Sequence, residues 1–262
     1  MAPIAVKDLV KHYGAVTAVD GLTFDVADGS VTALLGGNGA GKTTTIAMLM
    51  GLVLPTAGQV RVYGVDMVRD RYDVIHRINF QSPYINIPMR LTVRQNLETF
   101  ANLYGVTDAR GRVVELSAEL QLDEFLDRPA GELSAGQKTR ASIAKALVNA
   151  PELLLLDEPT ASLDPDTADW VRTKLLAYKR LRGATILLAS HNMTEVERMA
   201  DRVLMMSRGR IVEDGSPAEL LRRFARTNLE DVFLDIARGR VRGGAEAAPI
   251  PAAPVGGVLA GE

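Results

Sequence analysis

A chain of 262 residues suits one large domain, or a domain with a lobe, because single cores stop growing at roughly 250–300 residues. Hydrophobic residues make up 47% and charged residues 24%, so a sizeable core is expected; a net charge of −2 gives no general pull toward nucleic acid, and the lack of cysteine excludes disulfides, zinc-thiolate sites and thiol nucleophiles. No stretch reaches the roughly 18 apolar residues needed to span a bilayer, and Met1 to Asp8 is too short and too early in charge for a signal peptide, so the chain is expected to be soluble and to need another subunit for any work at a membrane.

In chain order, 4–10 and 22–27 read as short strands, with Asp28-Gly29 as a turn. Val31 to Leu35 is an apolar strand that runs into a glycine-rich loop, and Lys42 to Leu52 reads as a helix. Gln59 to Tyr63 is a strand between the punctuating Gly58 and Gly64. Thr92 to Tyr104, Arg110 to Leu120 and 134–148 carry helical spacing and predict a mainly helical lobe inserted into an α/β core. Leu153 to Asp157 is apolar on both faces, as in the middle of a parallel sheet. Helix 166–182, strand Thr185 to Ala189, helix 194–200 and strand Val203 to Met206 follow. Gly209 and Gly215 then mark turns around a last strand, and Pro217 to Arg226 is a short helix. From Gly239 to Glu262, Gly, Ala and Pro dominate without periodicity, which reads as a disordered tail.

Three segments carry chemistry. Gly36-Gly37-Asn38-Gly39-Ala40-Gly41-Lys42-Thr43 fits G-x-x-x-x-G-K-[ST]. Its glycines let backbone N–H groups turn inward around phosphate, and the following helix points its positive end at the same anion. Lys42 can neutralise β- and γ-phosphate charge, and the Thr43 hydroxyl can ligate Mg²⁺. Asp157 and Glu158 end a buried strand, at the edge where ligands of α/β sheets gather. Asp157 suits the shell of a metal ion, and Glu158 suits a water aimed at the γ-phosphorus. The third segment is Leu133-Ser134-Ala135-Gly136-Gln137. Ser134 and Gln137 fit a capping box, which needs no ligand. Ala135-Gly136 are not called for by the cap, and two small residues leave first-turn N–H groups open to an anion.

Taken together, these motifs resemble the ATP-binding subunit of an ABC transporter over roughly residues 4–220. The resemblance implies a P-loop NTPase core of the ABC type: a mixed sheet with flanking helices, an N-terminal antiparallel β region and an inserted α-helical lobe. It implies an ATP-binding domain over 1–220 with the lobe at about 82–150, a C-terminal helical extension over 221–238, and the tail over 239–262. Tyr13 looks like the adenine-stacking aromatic; read alone it is a surface or packing tyrosine, and its place before the second strand favours stacking. Gly36 to Thr44 looks like Walker A, with Thr44 as a further phosphate contact. Gln81 looks like the glutamine that touches the Mg²⁺ shell and faces the membrane partner; read alone, it is a solvated loop residue. Leu133 to Gln137 looks like the signature motif, Leu153 to Glu158 like Walker B with its catalytic glutamate, and Ser162-Leu163-Asp164 like the D-loop. Asp164 before Pro165 is equally a turn residue. His191 looks like the switch histidine on the γ-phosphate, or it simply caps the next helix. In this family the signature of one subunit closes over the ATP of another, so Ser134 and Gly136 are expected to act on a partner's nucleotide, and Gln137 is counted with the nucleotide-binding residues. Gly37 stands where the family often has proline, and Ala135 where it often has glycine; neither change removes a charge or a metal ligand.

Thr92 to Leu97, Leu103-Tyr104-Gly105 and Asn228 to Phe233 are similar to ATPases that serve two-component exporters of drugs, lipids or polysaccharides. The resemblance therefore implies an ATP hydrolase using ATP and Mg²⁺, paired with a second ATPase subunit, by expectation an identical one. It also implies a separate transmembrane permease, no nucleic-acid partner, and a cytoplasmic place on the inner face of the membrane. The permease surface is expected near Gln81 to Arg90, where Tyr84, Ile85, Ile87 and Met89 pack either on a partner helix or in the lobe's own core. Two other classes compete. A soluble ABC protein acting on ribosomes or DNA usually carries two cassettes or a long coiled coil, and neither is visible. A nucleotide-gated module without turnover is expected to lack Glu158 or His191, and both are present.

Overall fold

The computed structural model describes residues 2–82 and 87–238. The expected tail from Gly239 lies outside the described residues, as do Tyr84 and Ile85. Two sheets form the framework. The first is antiparallel, in the order β2-β1-β4-β5, from β1 (Ile4–Tyr13), β2 (Val16–Val26), β4 (Ala57–Val62) and β5 (Val65–Asp66). The second has the order β10-β9-β3-β8-β7-β6. Its strands are β3 (Val31–Leu35), β6 (Ile78–Gln81), β7 (Leu153–Asp157), β8 (Thr185–Ser190), β9 (Arg202–Ser207) and β10 (Arg210–Gly215). All pairs in it are parallel except β9 with β10.

β3, β7 and β8 are buried along their whole length because both faces of this sheet are covered. Successive side chains point to opposite faces. Leu153 and Leu155 therefore join a core with Ile46, Met48 and the first sheet, whereas Leu154 and Leu156 face Val171, Leu175 and Tyr178 on the other side. A third core packs Ala33, Leu35, Val203 and Met205 under Val196, Leu220, Leu229 and Val232.

The helices are α1 (Lys42–Leu49), α2 (Val93–Leu103), α3 (Ala109–Leu120), α4 (Ala135–Leu147), α5 (Pro165–Arg182), α6 (Met193–Met199), α7 (Pro217–Phe224) and α8 (Leu229–Ala237). α2, α3 and α4 all lie between β6 and β7, which are hydrogen-bonded neighbours, so the helical insertion is itself the crossover connection. The end of α4 is tied down by Arg112, whose guanidinium donates to the carbonyls of Leu147 (2.7 Å) and Val148 (3.2 Å). A cation on C-terminal carbonyls of this kind is worth ~1 kcal/mol.

Several expectations need correction. β1 runs to Tyr13 rather than residue 10, and β2 starts at Val16 rather than 22. Register shifts at Val6/Leu9 and Lys11/His12 break the clean alternation that a sequence pattern depends on. α1 stops at Leu49 because Gly51 takes a left-handed φ of 67°. Gln81, read alone as a solvated loop residue, is buried at the end of β6, a four-residue strand with no visible period. Ile87 is buried with the α2–α4 core, whereas Met89 is 41% exposed. Of the alternatives for those two residues, the lobe core therefore takes Ile87 and leaves Met89 at the surface.

Candidate functional site

The glycine-rich loop joins β3 to α1. Gly36 is hemmed in: a Cβ there would come within 2.5 Å of the Met206 carbonyl oxygen. Gly41 is more constrained still, with φ of 102° and a Cβ position 2.5 Å from the Ala18 oxygen. Gly41→Ala should therefore cost about 2 kcal/mol or more, because it adds backbone strain to a backbone clash; the measurement is a denaturant midpoint, and an unchanged midpoint would contradict this packing. Gly41 is also the N-cap of α1, and it has no side chain to cap with. No acidic residue occupies the first turn either. The first-turn N–H groups of α1 thus face the loop without a side-chain acceptor, the arrangement that receives phosphate.

Gly37, Asn38, Gly39, Ala40, Gly41, Lys42, Thr43, Thr44, Asp157 and Glu158 share a cavity of about 340 Å³. Within it Lys42 Nζ donates to the carbonyls of Gly36 (2.6 Å) and Gly37 (3.4 Å) and lies 3.6 Å from Glu158 Oε1. The Thr43 hydroxyl donates to Asp157 Oδ2 at 2.8 Å, while Asp157 Oδ1 is buried with no hydrogen-bond partner. Burial pushes the Asp157 carboxyl above its usual range, against the opposing pull of the Thr43 hydrogen bond. Gln81 Oε1 is likewise buried without a partner. Oxygen acceptors lacking donors suit a hard cation that keeps part of its water shell. Among the described residues no group of three or more His, Cys, Asp or Glu side chains can hold a metal alone. The donor set therefore fits Mg²⁺ only with hydroxyl, amide, water and phosphate oxygens added.

Glu158 has a left-handed φ of 52°, and its N–H donates to the Ala189 carbonyl at 2.8 Å. Its Oε1 is 2.7 Å from His191 Nδ1, a distance at which the ring N–H donates to the carboxylate. The His191 side chain is 57% exposed. The helix after it is capped by Asn192, which removes the reading of His191 as the cap. Asp164 does cap α5, accepting from the Thr167 N–H at 2.9 Å.

Tyr13 is 48% exposed at the end of β1, with Lys11 Nζ 4.8 Å from its ring centroid. The cavity wall nearby is formed by Val16, Thr17 and Ala18, which sequence reasoning did not single out. Their adjacency to Tyr13 across a two-residue turn was the available signal.

The structure does not bring the pentapeptide to this cavity. Ser134, Gly136 and Gln137 line a second one, of about 600 Å³, with Gln121, Arg140 and Thr167. The capping box at α4 is formed: the Gln137 N–H donates to Ser134 Oγ at 3.3 Å, and the Ser134 N–H to Gln137 Oε1 at 3.0 Å. The N–H groups of Ala135 and Gly136 remain without intrahelical acceptors, as in any first turn. Arg140 of this lining is 5.0 Å from the ring centroid of Trp170, and Lys174 is 5.8 Å from the same ring.

The model of the family described as "ABC transporter" matches residues 19–161. A protein named Nod factor export ATP-binding protein I, from Paraburkholderia xenovorans, is 40% identical over 224 residues, 84% of this chain and 73% of that protein. The bacitracin transport ATP-binding protein BcrA of Bacillus licheniformis is 35% identical over 227 residues, 87% of this chain and 74% of that one. A solved structure described as the ATP binding subunit of an ABC transporter has a TM-score of 0.81 at 28% identity and covers 89% of this chain and 99% of its own.

Proposed function

This chain belongs to the ABC transporter family, and we propose that it is the ATP-hydrolysing subunit of an exporter whose membrane passage is a separate permease. The observation that carries the reading is the division of the site. Phosphate loop, Asp157 and Glu158 share one cavity, while Ser134, Gly136 and Gln137 of the same chain line another. A second copy turned head-to-tail can close that second surface over the nucleotide of the first.

In this reading Gly36 to Thr44 cradle the phosphates, Lys42 neutralises their charge, and Tyr13, paired in register with Val16 of the cavity wall, stacks on adenine. Mg²⁺, when bound, neutralises charge on the β- and γ-phosphates, and Thr43, Asp157 and Gln81 are the residues suited to hold its shell. Glu158 accepts hydrogen from a water facing the γ-phosphorus. His191 orients that carboxylate through the 2.7 Å contact. As the water oxygen bonds to phosphorus, the bond to the bridging oxygen breaks, leaving ADP and phosphate.

No helix among the described residues is long and apolar enough to cross a membrane. The permease supplies that part, and the chain sits peripherally on its cytoplasmic side. The similarity to the Nod factor and bacitracin relatives supports export as the direction. Exposed Met89, which precedes α2 in the chain, is the apolar contact we assign to the permease. A tagged full-length chain expressed in its own host should capture, from solubilised membranes, a polytopic permease identified by mass spectrometry. Met89→Asp should lower that capture by at least ~5-fold, since a charge in an apolar contact costs about 1–3 kcal/mol. Recovery with ribosomes or DNA alone would replace export by a soluble role.

A further inference from the structure

Glu195 is the buried carboxyl that the mechanism above does not use. It sits in the first turn of α6 with 1% of its surface exposed. Two hydroxyls converge on it: Thr160 donates to Oε1 at 2.6 Å and Ser190 to Oε2 at 2.7 Å. Those hydroxyls come from different strand ends. Thr160 follows Glu158 by two residues after β7, and Ser190 immediately precedes His191 on β8. Glu158 and His191 are the two groups that must keep 2.7 Å spacing.

We infer that Glu195 is a positioning residue for ATP hydrolysis, a clamp that ties the Glu158 segment to the His191 segment through Thr160 and Ser190; this rests on the assignment of Glu158 and His191 proposed above. The clamp also settles where the Ser190 proton goes. Ser190 Oγ is only 3.5 Å from Glu158 Oε2, yet it donates to Glu195 and accepts from the Asn192 N–H at 3.0 Å. With its hydrogen held there, Ser190 does not compete with water for the Glu158 oxygen. Burial raises the Glu195 carboxyl above its usual range, against the two hydroxyl bonds.

The experiment compares full-length variants by steady-state phosphate release and by titration with a fluorescent ATP analogue. Glu195→Ala removes both arms: kcat should fall at least ~10-fold while nucleotide affinity and KM stay within about two-fold. Glu195→Gln, with its oxygen accepting from Ser190 and its N–H donating to Thr160 Oγ1, keeps both arms and should recover more than half of the lost rate. Should the Ala variant not fold, Thr160→Val and Ser190→Ala each remove one arm. Their losses should be strongly non-additive in the double variant, as for two ends of one clamp. Wild-type kcat in Glu195→Ala, equal losses of kcat and affinity without rescue by Gln, or additive losses in the pair would overturn the assignment. Glu158→Gln run beside these variants keeps the two ideas apart: if it is inactive and Glu195→Ala is not, only the clamp is wrong.

Discussion

Glu158→Gln should stop steady-state ATP turnover and leave the chain paired with a second copy around bound nucleotide. The amide matches the carboxylate in volume and can still accept the His191 N–H that now sits 2.7 Å away. It cannot take up a proton. Loss of a general base slows a reaction by roughly 100- to 10,000-fold, so phosphate release should drop at least ~100-fold. Binding is not expected to suffer, because Lys42, Thr43 and the loop N–H groups are untouched. ATP that binds without being spent holds the closed state, which shifts the population toward the pair. Light scattering after gel filtration with ATP and Mg²⁺ should then show twice the mass of the chain. Turnover near the wild-type rate would remove Glu158 from the mechanism.

Ser134→Arg tests the other half of the site. Ser134 caps α4, and its loss costs about 1 kcal/mol of stability, which a core of this size tolerates. The larger consequence is a guanidinium in the lining of the second cavity, where the proposed arrangement would dock a partner's phosphates. ATP binding to the single chain should be unchanged within about two-fold, since the phosphate loop is elsewhere, while turnover falls at least ~10-fold, equivalent to ~1.4 kcal/mol. Mixing gives the decisive result. Lys42→Ala lacks a working phosphate loop but keeps an intact pentapeptide, and Ser134→Arg is the reverse. Each alone should turn over at least ~10-fold more slowly than wild type, and a mixture should regain activity, because one of the two sites in a mixed pair is whole. No recovery on mixing, or normal hydrolysis by Ser134→Arg alone, would sink the shared-site arrangement.

Much of this was readable before any coordinates, for a physical reason. The phosphate loop and Asp157-Glu158 are contiguous segments, and each directly follows a strand buried on both faces. Composition alone marks such strands. Gln81 was not readable as a buried residue, because β6 has four residues and owes its existence to pairing with β7. The β1–β2 hairpin was underestimated because bulges and one solvated face blur its period. Glu195 carried no signal at all. Its meaning depends on Thr160, 35 residues before it in sequence, and on a hydroxyl five residues away whose direction only the fold decides. The capping box at Ser134 and Gln137 formed as the spacing predicted, which leaves the small pair Ala135-Gly136 as the part that a cap does not account for.

The cation-flanked Trp170 has one more consequence. It is the single tryptophan of the chain, and one of the two cations near its ring, Arg140, belongs to α4, the helix capped by Ser134. The other, Lys174, belongs to its own helix α5, which starts at the end of the loop after Glu158. The molecule thus carries a native chromophore at the joint between α4 and α5, so the mutual motion of those two helices is accessible to ultraviolet emission without any attached dye.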